Sequence, residues 1–171
     1  MNKNKKMIIT ALLVALSIII PTQFGFLRVI IPPFTATLTF HVPMFLAMLI
    51  SPMAGIAVGI GSAIGFVITG LPLEVAARAA MHMFVAGIGA VLIRKNFSLG
   101  QVIWITAPIH GLLEAIIVIP FGFDFYKSLV LVGIGSVIHH MIDGVITVYL
   151  TKAILKAQRK DSKDYRNLFA A

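Results

Sequence analysis

The sequence predicts an all-α integral membrane protein: a six-transmembrane-helix bundle with both termini cytoplasmic and a long first extracellular loop, formed by residues 1–171 as a single membrane domain. Three observations predict it. Hydrophobic residues make up 59% of the chain, charged residues only 12%, and mean hydropathy is +1.01, more apolar surface than one soluble core of this size could hide. The apolar residues fall into six runs separated by short polar or Pro-containing breaks. The net charge of +8 is unevenly placed. Lys3, Lys5 and Lys6 precede the first run, Arg94 and Lys95 follow the fourth, and Lys152, Lys156, Arg159, Lys160, Lys163 and Arg166 close the chain. Arg28 and Lys127 alone lie in the connections assigned to the other side, the asymmetry of a positive-inside topology. Basic charge therefore marks topology and contact with anionic lipid, and nucleic acid is not an expected partner.

The six helices are expected near 7–24, 39–51, 53–69, 73–93, 102–120 and 129–154, followed by a basic cytoplasmic tail over 155–171. The first resembles a signal peptide in its basic start and apolar centre, but no small-residue cleavage site follows, so an uncleaved helix is expected. Between it and the second helix, 21–40 forms a long connection with Pro32, Pro33, an alternation of Thr35, Thr37 and Thr39, and the aromatics Phe24, Phe26, Phe34 and Phe40. Its apolar content argues against disorder and leaves an interfacial loop resting on lipid headgroups or, preferred here, a lid folded over an outward-facing pocket. Ser51-Pro52 separates the short second and third helices, since Pro ends one helix and opens the next. Small residues mark close helix contacts: Gly55, Gly59, Gly61 and Gly65 on the third, Gly87 and Gly89 on the fourth, Gly133 and Gly135 on the sixth, and the pair Ala11 and Ala15 on the first. The two halves show no repeat of the kind that builds an inverted-repeat transporter.

Polar residues inside these runs carry the functional signal. Arg78 stands in the fourth helix, where an ionised side chain at mid-bilayer costs about 2.5–3.5 kcal/mol on insertion scales and persists only with a partner. Four-residue spacing places Glu74, Arg78 and His82 on one stripe of that helix, His110 and Glu114 on one face of the fifth, and His139 with Asp143 on the sixth, His140 being one turn from Asp143 as well. At about 1.5 Å per residue, Arg78 and Glu114 lie roughly 8 Å, and His82, His110 and His139 roughly 14–15 Å, below the outer helix ends. They meet in the outer half of the membrane, beneath the lid. Arg78 offers a planar fork for a carboxylate, and imidazoles can donate, accept or stack on a flat ring. Two uses of the stripe remain open: a ligand pocket, or a Glu74–Arg78 or Arg78–Glu114 pair that locks helices together.

The excluded chemistry is equally specific. With no cysteine there is no disulfide framework, thiolate metal site or cysteine nucleophile. His110, Gly111 and Glu114 do not make a zinc-protease helix motif, and no Gly-x-Ser-x-Gly elbow or phosphate loop occurs, so no catalytic residue is assigned and the chain is not expected to be an enzyme. Arg78 would oppose a divalent ion beside the His and carboxylate groups, so neither a metal nor any other cofactor is expected. If uptake is driven by ATP, other subunits must supply the hydrolysis.

Taken together, the size, the six runs, Ala11-xxx-Ala15, the long first loop, and the segments His41-Val-Pro-Met-Phe-Leu-Ala-Met, Ser51-Pro, Gly65-Phe, Arg78-Ala-Ala-Met-His82 and Val132-Gly-Ile-Gly-Ser-Val-Ile-His-His-Met-Ile-Asp143 resemble the substrate-binding S components of energy-coupling factor vitamin transporters. The resemblance covers nearly the whole chain. It implies a vitamin-binding subunit of the bacterial plasma membrane that joins a transmembrane coupling subunit and two cytoplasmic ATPases, and it assigns Ala11 and Ala15 to the interface with the coupling subunit. It also implies a pocket built from the first loop and the outer parts of helices 4 to 6, and movement by toppling of the whole subunit. Nickel and cobalt members use an N-terminal histidine, whereas Asn2 stands here. Among vitamins, the niacin and pantothenate members are most similar. Both substrates are small anions carrying the carboxylate that Arg78 would bind, with niacin favoured. Riboflavin and thiamine leave Arg78 unexplained. Expected substrate-binding residues are Arg78, His82, Glu74, His110, Glu114, His139, Asp143, Phe34, Thr35 and Thr37. Two other classes stay open: an ion-coupled secondary transporter with Glu114 and Asp143 as proton carriers, and a structural membrane subunit with no ligand.

Overall fold

The computed structural model describes residues 2–161 and 164–169; Lys163 and the last two positions of the basic tail lie outside them. Asn2 caps the first helix, its side chain accepting the Lys5 amide at 2.8 Å, and α1 runs Lys3–Gln23. The expected loop thus begins later than 21, because Pro21 is carried in the last turn of the helix. Beyond it the chain is not irregular. After a 3₁₀ turn at Gly25–Leu27 it forms an antiparallel hairpin, β1 Arg28–Ile31 and β2 Phe34–Thr37, with Arg28 opposite Thr37 and Ile31 opposite Phe34. The cis peptide Pro32–Pro33 makes the turn. β1 faces outward with Val29, Ile30 and Ile31 exposed, while Phe34, Ala36 and Thr37 of β2 are buried.

Thr39 takes a positive φ, and α2 then runs only Val42–Met48. The helix expected at 39–51 is therefore seven residues, about 10 Å, too short to cross a bilayer alone. Every one of its residues is buried. Ser51 caps α3, Pro52–Ile68, as the Ser-Pro signal predicts, its hydroxyl accepting the Ala54 amide at 3.1 Å. The fourth expected helix is two: α4 Leu73–Ala80 and α5 His82–Arg94, separated by a turn at Met81. The break interrupts the continuous Glu74–Arg78–His82 stripe. A reciprocal cap between Ser98 and Gln101 starts α6, Leu99–Ile117. The last expected helix begins earlier and is wound in two ways, π-helical over Tyr126–Ile134 and then α7, Gly135–Ala157. Before it, exposed Asp124 accepts the Lys127 amide, which holds its carboxyl below the usual carboxylate range.

Glycines set the packing by letting backbones approach. A side chain at Gly59 would collide with the backbone of Met83, and one at Gly111 would meet the Gly133 carbonyl at 2.6 Å. These contacts also give helix directions. Gly61 lies against Val14 and Ser17 and Gly65 against Pro21, so α1 and α3 run parallel; Gly55 meets Ala86 and Gly59 meets Met83, so α5 returns. Gly89 approaches Val102 and Gly144 approaches Ile103, so α6 ascends again and α7 descends. α1 starts and α7 finishes at one end. There the tail folds back: Arg166 donates to Asn96 Oδ1 at 3.0 Å and to the Asn96 carbonyl at 2.9 Å, and Leu168 is buried.

The main apolar core surrounds α2, with Met44, Phe45 and Met48 wholly enclosed. Among the described residues four helical stretches are long and apolar enough to cross a membrane: Lys3–Gln23, Leu73–Arg94, Leu99–Phe121 and Tyr126–Ala157; Pro52–Ile68 is a shorter apolar helix. Outward-facing Leu12, Trp104, Ile138 and Tyr149 belong to an apolar exterior that suits lipid.

Candidate functional site

All five histidines of the chain are buried, and they converge. His41 precedes α2, His82 opens α5, His110 is on α6, and His139 and His140 are on α7. The His41 ring lies 4.7 Å from those of His82 and His110, 4.4 Å from that of His139 and 5.5 Å from that of His140, centroid to centroid. The short α2 makes this possible, because it places a chain turn, rather than a helix middle, at the centre of the bundle.

Two carboxylates organise the cluster. Glu114 sits opposite Arg78, whose Nε and Nη2 donate to Oε2 at 2.9 and 2.8 Å. Ser136 Oγ donates to the same oxygen. Oε1 faces the rings instead, 3.1 Å from His110 Nε2 and 3.7 Å from His82 Nε2. Asp143 is wholly enclosed: Oδ1 accepts the Thr39 amide at 2.8 Å, and Oδ2 accepts the His41 amide at 2.9 Å and lies 3.0 Å from His41 Nδ1 and 3.1 Å from His139 Nε2.

The hairpin closes over these groups. Arg78 Nη2 donates to the Thr35 carbonyl at 3.2 Å, the guanidinium lies 5.0 Å from the centre of the Phe34 ring, and His139 Nε2 is 3.0 Å from the Thr37 carbonyl. The expected lid is thus a built element latched to helices α4 and α7. Under it is a cavity of about 20 Å³ lined by Ala36, Thr37, Phe40, His41, Phe66, Val75, Arg78, Ala79, His82, Glu114 and His139. That volume holds roughly a water, against the ~300 Å³ of an ordinary small-molecule pocket. A groove of about 300 Å³ between the hairpin and the Tyr126–Ile134 and α7 segments is almost wholly apolar, with His139 the one ionisable side chain in its lining.

The chain is 32% identical, over 178 aligned positions covering 91% of its own length and 77% of the other, to the niacin transporter NiaX of Lactococcus lactis subsp. cremoris (strain MG1363). It belongs to the S-component family of energy-coupling factor vitamin transporters. No family model and no solved structure matches it. As an S component it is a multi-pass protein of the cell membrane.

Within this S component most of the residues singled out by spacing come together: Arg78, His82, Glu114, His139 and Thr37 line the cavity, and His110, Asp143, Phe34 and Thr35 hold those that do. Thr35 takes part through its carbonyl rather than its hydroxyl. Glu74 stands apart. It lies in the first turn of α4, half-buried, where a carboxylate favours the helix dipole, and the partner of Arg78 is Glu114. Ala11 and Ala15 are exposed on α1, whose inner face uses Leu13 and Ser17 against α3.

Spacing missed His41, the hub of the cluster, because its carboxylate partner is 102 positions away and no helical repeat links them. The available signal was a lone histidine between a Thr alternation and a Pro-opened apolar run. Phe40, Phe66 and Ser136 were missed as well, being ordinary residues for a membrane helix or its loop.

Proposed function

We propose that this S component binds niacin, with pantothenate the next candidate, and passes it into the cell as part of an ATP-driven energy-coupling factor transporter. The relationship to a niacin transporter over most of both chains carries this reading. The site supports it: a buried guanidinium beside aromatic and imidazole rings suits a small planar carboxylate. In this reading the single membrane domain crosses the bilayer six times with both termini inside, α2 contributing the shortest pass. The lid faces outward, and partner ATPases supply the energy through a coupling subunit that docks on Ala11 and Ala15.

Binding follows from the contacts. The hairpin lifts, because the present cavity is smaller than a pyridine ring with its carboxylate. The carboxylate meets Arg78 from the side now held by the Thr35 carbonyl, and the ring lies among Phe40, Phe66, His82 and His139. Closing the hairpin excludes water, which strengthens the ion pair.

The test is a thermal-shift panel of vitamins on the purified chain, followed by titration without ATP. Nicotinate should stabilise the protein. Nicotinamide, isosteric but uncharged, should bind at least tenfold more weakly, and Arg78→Lys should narrow that preference because an ammonium cannot reproduce the fork. Equal affinity for nicotinate and nicotinamide would remove Arg78 from the site, and stabilisation by pantothenate alone would reassign the substrate.

A further inference from the structure

Three ring nitrogens and one carboxylate oxygen follow one another at contact distance in a pattern that hydrogen bonds between neutral rings do not explain. His41 Nε2 lies 3.1 Å from His82 Nε2, His82 Nε2 lies 3.1 Å from His110 Nε2, and His110 Nε2 lies 3.1 Å from Glu114 Oε1. A ring nitrogen carries at most one proton, and one that donates cannot also accept. His41 places its Nδ1 proton on Asp143, so in a neutral ring its Nε2 is bare. His110 must donate to Glu114 Oε1, and His82 must donate to His41. The His82–His110 contact then sets two N–H groups against each other. With neutral rings and an ionised Glu114, no placement of protons satisfies all three contacts.

The other members of the cluster are satisfied without such a conflict. His139 Nε2 faces only acceptors, the Thr37 carbonyl and Asp143, and so donates. His140 Nε2 pairs with Thr106 Oγ1 at 3.0 Å, whose own proton goes to the Val102 carbonyl. The frustration is confined to four atoms. We propose that Nε2 of His82 and of His110 with Oε1 of Glu114, which all lie close to one another, form a binding site for a divalent transition metal of the zinc type, His41 Nε2 beside His82 offering the fourth ligand.

The dimensions fit. Ligands about 2.0–2.1 Å from a tetrahedral zinc ion stand roughly 3.3 Å from one another, and the three pairs among His82, His110 and Glu114 stand 3.1, 3.1 and 3.7 Å apart, with His41 Nε2 3.1 Å from His82 Nε2. Three imidazoles and a carboxylate suit zinc, cobalt or nickel better than magnesium or calcium. Asp143 on Nδ1 of His41 is the outer carboxylate that orients a metal-binding histidine and keeps its Nε2 bare. Nδ1 of His82 and of His110 has no hydrogen-bond partner among the described residues, so no protein contact competes for the tautomer that presents Nε2. Arg78 does not stand in the way, because it and Ser136 engage Oε2 and leave Oε1 to the rings. Resting on the niacin reading, the ion has a further role. A divalent cation with Arg78 outweighs Glu114 and Asp143 by one positive charge, which a vitamin carboxylate neutralises.

The full chain, purified in detergent, stripped with chelator and dialysed, is titrated with Zn²⁺ by calorimetry and with Co²⁺ by visible absorption, nicotinate being left out of both. One ion should bind per chain with the ligand-field bands of tetrahedral cobalt. His82→Ala or His110→Ala should weaken binding by at least about 100-fold and Asp143→Asn by about 10–100-fold, while His140→Ala retains the wild-type affinity. A wild-type chain that takes up neither ion, or binding that survives His82→Ala combined with His110→Ala, overturns the site; neither result depends on how well a single variant folds. Nicotinate is then titrated into stripped and zinc-loaded protein. At least tenfold tighter binding to the loaded form is expected, and equal binding to both overturns the link between ion and vitamin. Zinc uptake with no nicotinate binding in either form would support the metal site and reject niacin as the substrate.

Discussion

Asp143 gives both its oxygens to the segment between the hairpin and α2, accepting two backbone amides and facing two imidazoles while wholly buried. Replacing it by Asn turns one acceptor into a donor aimed at those N–H groups. A buried donor left without a partner costs about 1–3 kcal/mol, so Asp143→Asn should lower the thermal unfolding midpoint in detergent even without ligand. An unchanged midpoint would mean that the segment is held elsewhere. At this scale the sequence was legible wherever partners share a helix. His110 with Glu114 and His139 with Asp143 are four residues apart, and both pairs are in contact. It was illegible where partners are joined only by folding: nothing local ties His41 to Asp143, and the balance between Glu74 and Glu114 for Arg78 depends on how α4 lies against α6. Arg78 was expected to oppose a divalent ion beside the carboxylates; in the structure it engages one oxygen of Glu114.

The start of α3 was readable because Ser51-Pro52 announces it, whereas helix lengths and winding were not: the second expected helix is only Val42–Met48, and Ser98 caps a helix expected to start at 102. Nothing in 73–93 marks the break at Met81, and nothing in 126–134 distinguishes a π-helix from an α-helix. The hairpin did leave a trace: β-branched Val29, Ile30 and Ile31, then a Thr alternation, flank two prolines that suit a turn. Membrane composition masked it, because the same residues also read as interfacial loop. The break at Met81 depends on Gly59, which lets α3 touch the backbone of His82 and Met83. Gly59→Ala should force α3 and α5 apart and destabilise the protein by about 1–3 kcal/mol, visible as a lower unfolding midpoint, whereas Gly100→Ala, with open space around it, should leave stability nearly unchanged. Equal effects of the two would show that the close approach does not hold the site-bearing helices together.

For the whole molecule, the absence of cysteine becomes a tool. With the proposed orientation, a single cysteine replacing Asp124 should react with a membrane-impermeant maleimide on intact cells, and one replacing Asn96 should react only after permeabilisation. The reverse pattern would invert the bundle. In the proposed assembly Ala11 and Ala15, exposed on α1, dock the coupling subunit while α4 to α7 hold the ligand, which makes docking and binding separable. Ala11→Leu with Ala15→Leu should leave nicotinate affinity unchanged and abolish co-purification with the coupling subunit; intact co-purification would place the docking face elsewhere. Small residues on one helix and polar ones on others are both visible in a linear chain, but the parallel course of α1 and α3 required three-dimensional contact.

The hairpin is fastened by Arg78 and His139, and the turn that follows it by Asp143, groups that also make the candidate site. Receptor and bolt are therefore one set of atoms. Lifting the lid without an anion at hand would strand buried charge and amide groups, so on the proposed reading an empty subunit resists opening and gives water or ions no standing passage. A substrate that replaces those contacts as it enters removes the penalty, and leak-tightness in a thin bundle of this size follows from that exchange.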